Sequence, residues 1–437
     1  MPIAYWASKS IYAAYEYSPL GDTVVPRHGL ATSDNNRFLK LWFEINFKKE
    51  SLIKKCDFTK KWFPMNKGGA YRKWYGNLEW VINYENDGEE IKKFAIELYK
   101  CSSRTIQNTQ FYFKKAITWS ALTSGALSFR WSDEGAIFGS GAHCAFADEK
   151  ILLYALGLMN SKVNTAFLNI VSATMNKNVD DIRATPFIAP EDKIQVVDML
   201  VKNCIKISRE DWDSFELSWD FKKHPLIQNI DTIEKAYECW KRECDRRFFE
   251  LKENEEKINK EFIEIYNLQD ELVPNIENHE VSVRRADLKR DICSFISYAV
   301  GCMFGRYSLD ADGLIYAGGE WDNSKYVSFA VNKNNIIPIG DDEYFENDIV
   351  SLFVEFVKTV YGQNTLDENL KFIANALGGK GQPKDIIRNY FLNDFFSYHC
   401  SMCSSSSSGK RPIYWLFDSG KKNGFKALIY KIGRAHV

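Results

Sequence analysis

Basic and aromatic side chains alternate between Lys48 and Tyr75, and this basic–aromatic segment is the part of the chain best suited to bind nucleic acid. Residues 48–73 carry nine Lys or Arg residues against two acidic ones, a local net charge of +7. Cationic side chains bind phosphates and release counterions, while planar rings stack on exposed bases. We expect such contacts from six residues: Lys60, Lys61, Arg72, Lys73, Trp74 and Tyr75. The alternative is a solvated β-hairpin whose aromatic rings fill its own core.

A second candidate for nucleic-acid contact is the run of small and Asx-type residues from Gly29 to Phe38. Such residues form tight turns and offer hydroxyl and amide donors. Asn and Arg are also the side chains best suited to bidentate contacts with adenine and guanine. We therefore expect four residues of this run near bases: Thr32, Asn35, Asn36 and Arg37. The alternative is an ordinary turn followed by a strand.

Residue patterns of conventional catalysis are missing from the sequence. The histidines are scattered, and neither a His-Glu-x-x-His nor a Gly-x-Ser-x-Gly motif occurs. Gly378–Gly381 lacks the spacing of a phosphate-binding loop and is predicted to cap a helix, and Phe138–Gly141 is predicted to be a turn. The acidic runs at Asp341–Glu343 and Asp310–Asp312 are typical of surface loops. We predict no catalytic residue and no metal site.

Composition places the chain among globular proteins. A length of 437 residues predicts two to three domains, and the net charge of −1 confines any nucleic-acid surface to a local patch. The ten cysteines follow no disulfide framework, and Cys400 and Cys403 lack the partners of a zinc site. No apolar run reaches the ~18 residues that a membrane span needs. We expect a cytoplasmic protein with reduced thiols and no membrane contact.

Hydrophobic periodicity predicts an α+β protein. A helix is expected over 1–17, then short strands at Phe38–Phe47, Leu78–Tyr84, Phe111–Phe113 and Ala126–Trp131, and a helix over 149–171. Further helices are predicted at 191–209, 230–271, 287–305, 346–361, 366–377 and 383–399. Within the second of these, the charged run Glu253–Lys260 is expected to be a solvated helix face or the spacer of a helical hairpin. This pattern predicts a strand-rich domain (1–190), a helical connector (191–283) and a mainly helical C-terminal domain (284–431).

Both ends of the chain are unusual. Met1 leads directly into the apolar run Pro2–Trp6, without an entry segment. The tail Ile432–Val437 resembles the translation of a common sequencing adapter, so we expect residues 432–437 to be an artefact. The alternative is a natural polar tail.

Separate stretches along the chain resemble, in order, the PglX-type adenine-specific DNA methyltransferases of BREX phage-defence systems. The matching stretches are Pro2–Trp6, Gly29–Phe38, Lys73–Asn77, Ile117–Ser120, Leu158–Val163, Ser297–Leu309, Ile336–Ile339 and Arg411–Tyr430. The chain departs from the family pattern at Ala173–Asn178 and through the serine run Ser404–Ser408. The first departure puts in doubt the transfer of contacts at that loop.

The resemblance implies a Rossmann-like methyltransferase domain that binds S-adenosylmethionine and holds a flipped adenine at an Asn-Pro-Pro-Tyr-type motif. This chain has no Pro-Pro dipeptide and no true Phe-x-Gly-x-Gly motif. We therefore expect a C-terminal fragment of such an enzyme, which binds no cofactor and does not methylate DNA by itself. The resemblance implies that its residues 1–190 are the target-recognition domain. The expected function is recognition of double-stranded DNA for host marking and phage defence, in company with other BREX proteins. The alternatives are a non-catalytic assembly module that docks other defence proteins, and a complete enzyme with an unrecognised active site.

Overall fold

A computed structural model of the chain describes residues 7–46, 57–123, 125–171, 177–405, 409–420 and 424–433. The described residues divide into two units. Unit 1 is formed by the described parts of Met1–Trp42, Lys49–Trp212 and Arg247–Arg284, and unit 2 by those of Phe43–Lys48, Asp213–Arg246 and Arg285–Val437. The predicted segments Pro2–Trp6 and Ala173–Asn176, part of Ser404–Ser408 and the end of the tail lie outside the described residues.

Unit 1 contains two four-stranded sheets. Its strands are β1 (Val25–Arg27), β2 (Leu39–Leu41), β3 (Trp62–Asn66), β4 (Trp80–Asn83), β5 (Ala116–Ser120), β6 (Phe129–Ser132), β7 (Ile137–Phe138) and β8 (Ala142–Phe146). One sheet has the order β1-β8-β5-β6 and the other β2-β4-β3-β7, and every pair is antiparallel except β3 with β7. All residues of β3, β4, β6 and β8 are buried, so these strands are covered on both faces.

Helices complete unit 1. They are α1 (Lys9–Ala14), α2 (Asn35–Phe38), α3 (Glu85–Tyr99), α4 (Glu149–Asn160), α5 (Lys162–Val171), α6 (Val179–Arg183), α7 (Glu191–Trp212) and residues 247–265 of α8 (Ile233–Ile265). The predictions of α7 and α8 are confirmed. The predicted strand at Phe111–Phe113 is wrong, because Thr109–Phe111 forms a 3₁₀ turn.

The apolar segment 149–171 was predicted as one helix but forms two, α4 and α5, bent by 73°. The break lies at Ser161, whose backbone is extended and whose hydroxyl donates to the Leu158 carbonyl at 2.7 Å. The same hydroxyl accepts from the Asn164 N–H at 3.3 Å, so Ser161 caps α5 and ends the first helix. No single helix among the described residues is long and apolar enough to cross a membrane, although this bent pair passes that test of length and composition when it is taken together.

Unit 2 is mainly helical. Beside residues 233–246 of α8 it contains α9 (Leu288–Met303), α10 (Ile349–Tyr361), α11 (Leu366–Leu377), α12 (Pro383–Asn393) and α13 (Phe395–Met402). Its strands are β9 (Ile336–Ile339), β10 (Ser404–Ser405), β11 (Gly409–Lys410), β12 (Tyr414–Asp418) and β13 (Lys426–Tyr430), in a hairpin β10-β11 and a sheet ordered β12-β13-β9. The predicted α+β class is confirmed. The functional meaning of the ranges 1–190, 191–283 and 284–431 stays a prediction.

Candidate nucleic-acid interface

The predicted base-contacting run forms a short capped turn at Thr32–Arg37. Asp34 is the N-cap of α2, and its carboxylate accepts from the Arg37 N–H at 3.1 Å. The Thr32 hydroxyl donates to the Asn35 side-chain oxygen at 2.6 Å. Thr32 is buried, while Asn35, Asn36 and Arg37 are exposed. The turn therefore presents three side chains to solvent, and the hydrogen bond from buried Thr32 orients the Asn35 amide.

Arg37 is held in place by aromatic rings and one carboxylate. Its guanidinium carbon lies 5.1 Å from the ring centroid of Phe38 and 4.9 Å from that of Phe94. Its Nε lies 2.9 Å from a carboxylate oxygen of Glu90, and the other oxygen of Glu90 accepts from Asn83 at 2.7 Å. The Arg37 and Glu90 side chains are 46% and 44% exposed, and ion pairs this exposed contribute about 0–1 kcal/mol. A phosphate or a base edge can therefore compete with Glu90 for the guanidinium.

The sheet places Lys60 and Lys61 at the same end as the capped turn. Leu39 at the start of β2 and Phe63 in β3 both pair with Ile82 of β4, from opposite sides. Arg37 and Lys61 each precede their pairing residue by two positions, so both flank the end of β4. With neighbouring strands about 4.8 Å apart, the backbones of Leu39 and Phe63 lie on the order of 10 Å from each other, and Arg37 and Lys61 are each two positions away from these residues.

The two lysines make loose ion pairs. Lys61 lies 3.8 Å from a carboxylate oxygen of Glu85, and Lys60 lies 3.9 Å from one of Asp57. The side chains of Lys60 and Lys61 are about one-third exposed. Both ammonium groups can therefore turn toward an outside anion at small cost.

The structure does not bring Arg72 and Lys73 to this end of the sheet. Arg72 pairs with Asp211 at 2.9 Å, and Lys73 pairs with Glu255 at 2.8 Å. The four side chains are between 2% and 8% exposed. Two buried cations matched by two buried carboxylates join the Lys67–Leu78 loop to α7 and α8, because a charge removed from water requires a partner. Arg72 and Lys73 therefore stabilise unit 1, and we do not propose them as phosphate contacts.

Trp74 and Tyr75 are each 1% exposed and lie in the core of unit 1. The Trp74 ring nitrogen donates to Glu255 at 2.7 Å, and the Tyr75 ring stacks under Arg209, whose guanidinium carbon is 4.1 Å from the ring centroid. Neither ring is available to a base in this arrangement. For this part of the basic–aromatic segment the geometry supports the alternative interpretation, in which the rings fill the core. Residues 48–56 of the segment lie outside the described residues.

The Lys73 ammonium stays charged although it is buried. Burial lowers the pKa of Lys73, but Glu255, Tyr71 and Glu280 together raise it more, so the net pKa lies above the ordinary value. Glu255 also accepts from Trp74, so both of its oxygens are satisfied. The chain from 253 to 260 was predicted as a solvated face of charged residues. That prediction is wrong for Asn254, Glu255 and Asn259, which are buried.

The motifs rejected as phosphate loops have structural roles. Gly378 has a φ of +86° and caps α11, as predicted. Gly139 to Gly141 form a turn between β7 and β8, and a Cβ on Gly139 would lie 2.4 Å from the Met65 methyl group. This turn leads into a strand, so it does not fit the loop-to-helix cradle that S-adenosylmethionine would need from a Rossmann-like domain. Within the described ranges no group of three His, Cys, Asp or Glu side chains is arranged to hold a metal ion.

Comparison with known proteins finds two relatives that align with almost the whole chain. Adenine-specific methyltransferase PglX of Lacticaseibacillus casei (strain Zhang) is 45% identical over 444 residues, which cover 98% of this chain and 36% of the relative. Adenine-specific methyltransferase BrxX of Escherichia coli O9:H4 (strain HS) is 34% identical over 463 residues, which cover 98% of this chain and 37% of the relative. The chain spans a little over a third of the length of these curated relatives. No protein-family model matches it.

Proposed function

We propose that this chain, which belongs to the PglX-type family of adenine-specific methyltransferases, recognises DNA on behalf of a longer enzyme. The observation that carries the proposal is the capped turn, which presents Asn35, Asn36 and Arg37 to solvent at a sheet end that also carries Lys60 and Lys61. The longer enzyme would use S-adenosylmethionine to methylate adenine N6 in double-stranded DNA for host marking and phage defence.

The division of labour follows from side-chain chemistry. An amide such as Asn35 or Asn36 can pair with both adenine N6 and N7, and a guanidinium such as Arg37 with both guanine O6 and N7. A lysine that contacts a phosphate acts as a point charge, and such a contact carries no sequence information. We therefore assign specificity to the capped turn and general affinity to Lys60 and Lys61.

The test is equilibrium binding of the full 437-residue chain to duplex DNA across a salt series. We expect log K to fall linearly with log salt, with a slope of about −0.9 for each phosphate contacted. A K60Q/K61Q variant should weaken binding to all duplexes alike, and K206Q, at an exposed position of α7, is the matched control. Affinity that is independent of salt would contradict the proposal.

We also propose that the chain does not methylate DNA by itself. Incubation with labelled S-adenosylmethionine and duplex DNA should leave the DNA unlabelled. Transfer of label by this chain alone would overturn the assignment and indicate a complete enzyme.

A second candidate function, docking of other defence proteins, is favoured by an exposed aromatic patch in unit 2. Trp415 and Phe417 stand on the same face of the edge strand β12 and are 57% and 52% exposed. The Phe417 ring lies 6.2 Å from that of Phe425, which lies 6.0 Å from Phe345. Exposed aromatic clusters of this kind mark protein–protein contacts. W415S/F417S should abolish docking while duplex binding by the chain stays unchanged; loss of both would contradict separate surfaces.

A further inference from the structure

A cationic pocket of about 370 Å³ lies in unit 1, beside the edge strand β1. The end of β1, the turn around Asn108 and the short helix α6 surround it. Its polar lining comes from Arg27, His28, Asn108, Gln110, Asp180 and Arg183. Two guanidinium groups and three further side chains that can donate hydrogen bonds therefore face one carboxylate. The balance favours an anionic ligand.

Arg27 is oriented without neutralising its charge. Its guanidinium carbon lies 5.3 Å from the ring centroid of Phe111, and the Lys114 ammonium lies 5.5 Å from the same centroid. Arg27 donates to the Pro26 carbonyl at 3.2 Å. Among the described residues neither Arg27 nor Lys114 lies within ion-pair distance of a carboxylate. The two positive charges at the Phe111 ring are thus available to an anionic ligand.

The opposite wall of the pocket is also organised. The Arg183 stem lies over Gly21, since a Cβ there would come within 1.9 Å of the Arg183 Cγ. Arg183 pairs with Asp180 at 3.0 Å, in a pair with side chains 45% and 82% exposed, which is weak enough to exchange for another anion. Asn108 adopts a left-handed backbone with a φ of 57° and donates to the His28 carbonyl at 2.9 Å, which fixes the floor of the pocket.

The pocket is close to the capped turn along the chain. Only Gly29–Ala31 separate His28 from Thr32, and the next residue, Ser33, accepts a hydrogen bond from the Tyr99 hydroxyl at 3.2 Å. Arg104 stacks on Tyr99, with its guanidinium carbon 4.8 Å from the ring centroid. Arg27 and Arg37 are ten positions apart, which limits their separation to about 35 Å, roughly one turn of duplex DNA. This distance is short enough for a single duplex to reach both.

We infer that the cationic pocket receives a backbone phosphate of the DNA that the capped turn reads, with Arg27 and Arg183 as its charged ligands. This inference rests on the proposed function. Arg27 is the stronger ligand, because it has no carboxylate to give up, and Lys114 adds charge from outside the lining. The phosphate contact fixes the register of the duplex and carries no base preference.

The experiment is a salt series of duplex binding by the full chain and by R27Q, R183Q, K114Q and the control K206Q. One phosphate contact contributes about five-fold in affinity at 0.15 M salt and about 0.9 to the slope of log K against log salt. We expect R27Q to lose both amounts for every duplex, R183Q and K114Q to lose less, and K206Q to match the parent chain. R27K keeps the charge and should restore most of the slope.

The outcomes separate this inference from the proposed function. If the parent chain binds duplex with the expected salt slope and R27Q has the same affinity and slope, the assignment of the pocket is wrong and the proposed DNA recognition stands. Parent chain that does not bind duplex at all removes the proposed function and this inference with it. Titration with inorganic phosphate at constant ionic strength should show no saturable binding. A saturable phosphate site that R27Q abolishes would instead indicate a pocket for a free phosphorylated ligand and overturn the backbone assignment.

Discussion

Replacing Lys73 with methionine distinguishes a structural cation from a DNA contact. The Lys73 ammonium lies 2.8 Å from Glu255, and the pair is almost wholly buried. Methionine keeps the length of the side chain and removes the charge, so Glu255 keeps only its hydrogen bond from Trp74. We expect the free energy of unfolding to fall while the intrinsic affinity of the folded chain for DNA stays the same.

The magnitude follows from the burial of the partner. Removing one member of a buried ion pair typically costs about 3–5 kcal/mol, whereas removing one member of an exposed pair costs about 0–1 kcal/mol. The folded-state pKa of Lys73 is raised above its unfolded value, so its stabilising contribution is fully present below the unfolded pKa. That contribution is lost only as pH rises through the folded pKa, so the full cost of K73M should be visible at pH 7.

The assay is urea unfolding followed by tryptophan fluorescence, with calorimetry to resolve transitions of the two units. E255Q and the double variant K73M/E255Q complete a double-mutant cycle. The double variant should lose less unfolding free energy than the sum of the two single variants, because it leaves no unpaired charge in the core. K60M is the control in an exposed pair and should change stability by less than about 1 kcal/mol. K73M that unfolds within 1 kcal/mol of the parent chain and yet binds duplex more weakly would refute the structural assignment.

Three further predictions follow from the geometry. R37A or N35A should relax base preference at one position of the target, at a cost of about 1–3 kcal/mol in competition binding, and an equal loss for every sequence would argue against a base contact. G29A should lower the melting temperature, because a Cβ there would lie 2.3 Å from a carbonyl oxygen, whereas G125A, with nothing within 4 Å, should not; equal melting temperatures would contradict the close approach. Burial raises the pKa of Glu216 to about 7. The carboxylate therefore destabilises the fold increasingly as pH rises from the unfolded-state pKa through 7. E216Q should increase the free energy of unfolding by up to about 3 kcal/mol at pH 8 and leave it unchanged at pH 4. Urea midpoints that shift with pH in the same way in both chains would contradict this assignment.

Local pattern was enough to predict the long helices. The spacing of Val197, Val201 and Cys204 repeats at helical period, and these residues are buried along α7. The end of α9 near Gly305 was also predictable, because the left-handed φ of 75° at that position favours glycine. The break at Ser161 was missed, because apolar periodicity continues through it. A single serine that caps the next helix outweighs that periodicity.

The candidate site was predicted only in part, for a reason of distance along the chain. The tight turn at Asp34 depends on residues within three positions and was predicted correctly. The partners of Arg72 and Lys73 lie 139 and 182 positions away, so no window of local sequence relates them. The charged run around Glu255 reads as solvated for the same reason. Whether Asn35, Asn36 and Arg37 contact bases stays a prediction.

A count of positive charge cannot separate the two kinds of cation in this chain, but the burial of the partner carboxylate can. Arg72 and Lys73 pair with carboxylates that are 2% exposed. Removing either cation leaves an unpaired buried charge, which lowers the free energy of unfolding. Arg37 pairs with an exposed carboxylate, and Arg27 has no carboxylate within ion-pair distance among the described residues, so removing either leaves the core intact. Weaker DNA binding after substitution of Arg72 or Lys73 would therefore report on the stability of unit 1. The same loss after substitution of Arg37 or Arg27 would report on the interface itself.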